Sequence, residues 1–375
     1  MWLSHVHKGA LMIRIGVIGC GQIAQMHFTN YTKIPEAQVV ACADIDPVAA
    51  ETSAKAFDIP NVYNTATAML ARDDLDAIDV CLHNNLHLSG TLAALESGRH
   101  VYCEKPMAGT YRDAEAMIEA AQQSDRRLHI QLGNIYSDEV RAAKELIDAG
   151  EVGEIYHARS TGFRRRGRPF VDGYGKPAFV NTETSGGGAL YDMGVYHISE
   201  ILYLLGNPKV ARVSGRAYQR QEMDTERRES SGYNVEELGV GFVRFENGAT
   251  LDIIEAWAIP LNDIEGSCII GEKGGIRLKP FSFHKCVGDL NLDCTVSLNA
   301  ARYRWNALRG EGNVYGNSQV HWIAALLGKV ELIPTAEIAL NTMLISEGIY
   351  LSEKLGREVT AEEVREQSVS RRLAL

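Results

Sequence analysis

Cysteine is scarce: seven in 375 residues, an odd number, with no Cys-x-x-Cys pair. That excludes a disulfide-built scaffold. Cys42, Cys81 and Cys103 lie inside apolar runs and read as buried free thiols of a reducing, cytoplasmic compartment. Nor is there an uninterrupted apolar run of about 18 residues, so no membrane-spanning helix is expected. Basic residues are outnumbered, 38 Lys and Arg against 48 Asp and Glu, for a net charge of −10. That balance argues against a nucleic-acid partner. Residues 1–11 lack the apolar core of a signal peptide and read as an extension or alternative start ahead of Met12.

What is present is an ordinary globular composition, 45% hydrophobic and 23% charged, in a chain long enough for two domains. From Ile13 to Leu132, strand and helix patterns alternate. Strands are expected at 13–18, 38–43, 77–82, 99–103 and 128–132, with helices at 22–32, from Pro47, at 86–96 and from Thr110. Asp46 with Pro47 starts one helix, and Thr110 with Asp113 forms a capping-box pattern. Such alternation implies a parallel sheet wound on both faces. After about Tyr136 comes one helix over 138–148, then longer strands at 235–245, 249–258 and 268–270. The Asn247-Gly248 pair marks a hairpin, so an antiparallel sheet is expected there. Helical patterns return at 320–327 and 336–355.

Gly19-Cys20-Gly21-Gln22-Ile23-Ala24 is G-x-G-x-x-A set between the first strand and the first helix. The first glycine permits the tight turn, the second admits a pyrophosphate, and Ala24 keeps helix and strand close. Asp44 ends the second strand about 20 residues further on, where an acid accepts ribose hydroxyls and repels a 2′-phosphate. Gly19, Gly21, Gln22, Ile23 and Asp44 are therefore read as a dinucleotide site for NAD, with NADP disfavoured.

Two further marks are Glu104-Lys105-Pro106, preceded by Gly98-Arg99-His100-Val101, and Gly186-Gly187-Gly188-Ala189-Leu190-Tyr191-Asp192-Met193-Gly194. With the glycine motif in register, the chain resembles the Gfo/Idh/MocA (glucose–fructose oxidoreductase/inositol dehydrogenase) family. The resemblance implies an α/β fold: a Rossmann domain with a doubly wound parallel sheet over 12–135, then an α+β domain with a large open, mainly antiparallel sheet over 136–375. The second would bind substrate and mediate oligomerisation, its last helix packing back on the first. It also implies an NAD-dependent dehydrogenase moving hydride to or from a sugar, inositol or related polyol, working as a homodimer or homotetramer. Two alternatives stay open, an NAD-using glycosidase or lyase acting by transient oxidation and a non-catalytic NAD-binding metabolite sensor.

Lys105, at the ligand-lining end of a parallel strand, suits stabilisation of charge on a reacting oxygen. The resemblance adds Asp192 and Tyr196 as its catalytic companions. It places Glu104 beside the lysine or the cofactor, and gives Asn84 and His87, in Leu82-His83-Asn84-Asn85-Leu86-His87, cofactor contacts. Read as one helix over 190–205, the segment puts Tyr196 on the face of Asp192 and rotates His197 away. His197 is then either a pocket-edge substrate contact or a core histidine. The Arg164-Arg165-Arg166 cluster with Arg168 is either a solvated or interface loop or a substrate loop, Arg165 being the substrate candidate. Trp257 is read as core in preference to a sugar platform. No metal is expected, since His83 and His87 find no further ligands.

Overall fold

A computed structural model describes residues 12–308 and 313–375. The expectation for residues 1–11 lies outside the described residues. Strands β1 (Ile13–Ile18), β2 (Ala37–Ala43), β3 (Asn61–Tyr63), β4 (Ala77–Val80), β5 (His100–Cys103) and β6 (Leu128–Ile130) form one parallel sheet. Its order is β3-β2-β1-β4-β5-β6, so the winding reverses between β1 and β4, where a crevice opens at the carboxyl ends of the strands. β1 and β4 are almost wholly buried, as strands covered on both faces must be.

A nine-stranded sheet follows: β7 (Ile155–Phe163), β8 (Val210–Tyr218), β9 (Leu238–Phe245), β10 (Thr250–Ala256), β11 (Cys268–Gly271), β12 (Gly275–Arg277), β13 (Ser282–Val287), β14 (Leu290–Thr295) and β15 (Val359–Thr360). Its order is β14-β13-β12-β11-β7-β10-β9-β8-β15. The pairing is antiparallel except between β7 and β10, which run parallel. The expected hairpin joins β9 to β10, with Gly248 at φ +90°. Helices Gly194–Leu204 and Thr335–Leu355 cover one face. The other face carries Val240, Phe242 and Ile254, half-buried, and Ile270, exposed.

The C-terminal elements return to the first sheet. Helix Ser318–Leu326 inserts Trp322 against His129, rings stacked at 5.7 Å, and Asn30 donates to Gln319 at 2.7 Å. Thr335 Oγ1 accepts the Ile130 N–H at 2.9 Å. Beyond the last helix, Arg371 N donates to Asp113 at 2.9 Å and Leu373 N to the Asn85 carbonyl at 2.9 Å. This explains a departure from the capping-box expectation. Thr110 accepts the Asp113 N–H, but the Asp113 carboxylate accepts from Arg371 instead of turning back to Thr110.

Candidate active site

At the carboxyl end of β1, Gly19 takes φ +93°, and a Cβ there would stand 2.3 Å from the Cys81 carbonyl oxygen. Glycine is required. Gly21 starts helix Gln22–Tyr31 with no side-chain cap, and nothing lies within 4 Å of its missing Cβ. The helix N-terminus is thus open, with unpaired N–H groups pointing outward. Asp44 is pinned beside the loop: one carboxylate oxygen accepts Cys20 N at 2.7 Å and the other Asp46 N at 2.8 Å. Open N–H groups flanked by a fixed acid fit a dinucleotide's pyrophosphate and ribose.

Lys105 follows β5, and its ammonium donates to Asp192 Oδ1 at 2.8 Å and to the Asp192 carbonyl at 3.1 Å. It lies 4.7 Å from the ring centroid of Tyr196. Burial opposes the lysine's charge, but Asp192 outweighs it and lifts the pKa well above the ordinary lysine range. Burial likewise opposes the Asp192 charge, yet Lys105 holds its carboxyl below the usual value. Burial pushes the Tyr196 phenol up, and Lys105 only partly offsets it. At neutral pH the trio is ammonium, carboxylate and phenol.

The single helix expected over 190–205 is two, Ala189–Asp192 and Gly194–Leu204, broken at Met193. The break has a long-range cause. Glu236 accepts Gly188 N and Leu190 N, both at 2.9 Å, capping the first short helix from below. Trp257 donates its indole N–H to Asp192 Oδ2 at 2.9 Å. Trp257 is fully buried, so it is a core residue with a polar task that the sequence did not reveal. Tyr196 still reaches Lys105 across the break.

His197 turns to the second sheet instead. Its Nδ1 lies 2.9 Å from Glu255 Oε2, whose other oxygen accepts Ser160 Oγ at 2.9 Å. Burial would neutralise the imidazole, but Glu255 raises its pKa. Gly162 makes the space, because a Cβ there would come within 2.0 Å of the ring. Strand alternation from Gly162 puts Arg164 on the same face, one residue past the Phe163–Ala256 pair and level with Trp257. Its charge helps hold the Asp192 carboxyl down. Arg168 is not solvated: it is buried and paired with Asp172 and Glu237, both at 3.0 Å. Arg165 is exposed and makes no hydrogen bond or ion pair among the described residues.

The turn after β4 is tied to both domains. Asn84 Nδ2 donates to the Ser185 carbonyl at 2.7 Å, docking the turn on the glycine run. His87 is fully buried, its ring nitrogens 2.8 and 3.1 Å from the carbonyls of Pro106 and Leu82. Glu104, also buried, accepts Lys105 N at 3.0 Å and faces His27 at 2.7 Å.

Two family models match the chain. "Oxidoreductase family, NAD-binding Rossmann fold" matches residues 13–132, and "GFO/IDH/MocA C-terminal domain" matches 140–277. D-glucoside 3-dehydrogenase of Escherichia coli (strain K12) is 30% identical over 278 residues, 72% of this chain and 77% of that one. Inositol 2-dehydrogenase of Pseudomonas savastanoi pv. phaseolicola (strain 1448A / Race 6) is 37% identical over 148 residues, 38% of this chain and 44% of that one. In fold, the chain resembles levoglucosan dehydrogenase solved with NADH and levoglucosan, at TM-score 0.77 and 20% identity, covering 93% and 99% of the two chains. This chain is a member of the Gfo/Idh/MocA family, an oxidoreductase built on an NAD-binding Rossmann domain.

Proposed function

We propose that the protein catalyses reversible NAD-dependent oxidation of a secondary hydroxyl on a sugar or cyclic polyol to a ketone. The observation that carries this reading is the convergence of Lys105, Asp192 and Tyr196 at the carboxyl edge of the parallel sheet. Gly21, Gln22 and Ile23 would hold the pyrophosphate and Asp44 the ribose hydroxyls; bound NAD+ supplies the hydride acceptor. Lys105 donates a hydrogen bond to the substrate oxygen and stabilises its negative charge as the hydroxyl proton leaves. Asp192 aims the ammonium, and the Tyr196 phenol passes the proton between the oxygen and solvent. His197 and the Arg164–Arg165 loop would meet the rest of the substrate. The names of the relatives, which act on glucosides and inositols, support this substrate class.

A panel of glycosides, free sugars and inositols with NAD+ tests the reading by NADH absorbance. NADH formation with at least one panel member is expected. Substrate consumed without net NADH would mark transient oxidation instead, and NAD binding with no turnover of any panel member would mark a sensor.

A further inference from the structure

Behind Lys105, three buried ionisable side chains from three elements form one array. His27, on helix Gln22–Tyr31, has Nδ1 2.8 Å from Asp79 Oδ2 on β4 and Nε2 2.7 Å from Glu104 Oε1 after β5. All three are at most 4% exposed. Each ring nitrogen faces a carboxylate oxygen, which accepts only, so both nitrogens must carry protons. The imidazole is a cation between two anions. Although burial opposes it, Asp79 keeps the His27 pKa well above 6.5.

The surrounding groups leave the sum intact. The Tyr31 hydroxyl donates to Asp79 at 2.9 Å, and Cys81 Sγ lies 3.4 Å from the other Asp79 oxygen. Burial raises the pKa of both, keeping them neutral. The Tyr102 ring meets His27 edge-on at 5.6 Å, and Gln319 donates to the His27 carbonyl. The Lys105 charge is balanced by Asp192. Two carboxylates and one imidazolium therefore leave one net negative charge, and moving the proton from His27 to either carboxylate does not alter it.

Asp79 lies on β4, Glu104 directly follows β5 and precedes Lys105, and His27 is carried by the helix whose uncapped start at Gly21 is the pyrophosphate site read above. We propose that the Asp79–His27–Glu104 array sets the cofactor's oxidation-state preference, favouring the cationic nicotinamide of NAD+ over the neutral ring of NADH. A buried unit charge acting over several ångströms in protein changes a binding ratio roughly tenfold.

The test reads dissociation constants for NAD+ and NADH by titration calorimetry, without substrate, so a failed sugar screen leaves it standing. Glu104→Gln and Asp79→Asn each remove one negative charge, from opposite ends of the histidine. Both should weaken NAD+ roughly tenfold while leaving NADH within about twofold. A shift in Glu104→Gln alone would mean local contact and overturn the proposal, as would no shift in either. Should Asp79→Asn not fold, His27→Gln replaces it. Losing the imidazolium leaves the negative charge unchanged or increased, so the ratio holds or moves toward NAD+. Movement toward NADH overturns the idea.

Discussion

Trp257 donates its indole N–H to the one Asp192 carboxylate oxygen that Lys105 leaves free, at 2.9 Å against 2.8 Å for the lysine. The carboxylate is held at both oxygens and cannot rotate without breaking a charge-assisted bond. Such bonds are worth about 1.5–3 kcal/mol. Trp257→Phe should therefore lower kcat by roughly tenfold or more while NAD+ affinity stays near wild type. Steady-state kinetics beside a cofactor titration checks this.

Lys105→Ala is expected to abolish turnover, and Tyr196→Phe to reduce it by roughly two to four orders of magnitude, the range for positioned acid–base groups. His197→Ala should mainly raise KM, since its ring is anchored to Glu255 away from the Lys105–Asp192 pair. Because burial lifts the Tyr196 pKa, the wild-type oxidation rate should climb into the alkaline range. The Phe variant should lose that climb in a pH–rate profile. A dead His197→Ala with an active Tyr196→Phe would reverse the two assignments.

Glu236 caps the backbone leading to Asp192, and burial raises its pKa from 4.5 to about 7. A carboxyl raised on folding binds its proton more tightly in the native state. Its stabilising contribution is full below about pH 4.5 and is lost as pH rises through about 7. Glu236→Gln cannot titrate, and its amide leaves Gly188 or Leu190 without an acceptor. The variant should be less stable than wild type at pH 5, with the gap closing by up to about 3 kcal/mol by pH 8. Thermal melts of both proteins across that range would show it.

Asp44 already accepts two backbone N–H groups, so its charge is fixed where a 2′-phosphate would arrive. NAD should bind more tightly than NADP, and Asp44→Ser should narrow the difference by roughly 10-fold or more. Equal affinities in the wild type, measured by fluorescence titration, would refute the assignment.

The sheet face carrying Val240, Phe242, Ile254 and Ile270 has no covering layer among the described residues, and apolar surface of this kind seeks a partner. A homodimer or homotetramer is expected. Light scattering at micromolar concentration decides it, and a monomer would remove the claim.

What could be read from sequence was local. Asp46 and Pro47 start their helix where expected, with Asp46 accepting from Val48 and Ala49. Helix Asp138–Asp148 has the expected bounds, and the Gly19–Ala24 loop and Asp44 act within one strand–turn–helix neighbourhood. β7 and β8 were illegible because Arg, Ser and Gly interrupt their alternation. The break at Met193 was hidden for another reason: its causes, Glu236 and Trp257, stand far along the chain. His27 likewise gains meaning only when three elements meet, since no spacing in sequence places it between Asp79 and Glu104.

Lys105 belongs to the parallel sheet, while Asp192 is fastened to the other sheet's framework through Trp257 and Glu236. Neither side can prepare the ammonium alone. The Lys105–Asp192 contact is a joint between two frameworks, so a substitution that shifts either sheet against the other is felt first at the ammonium.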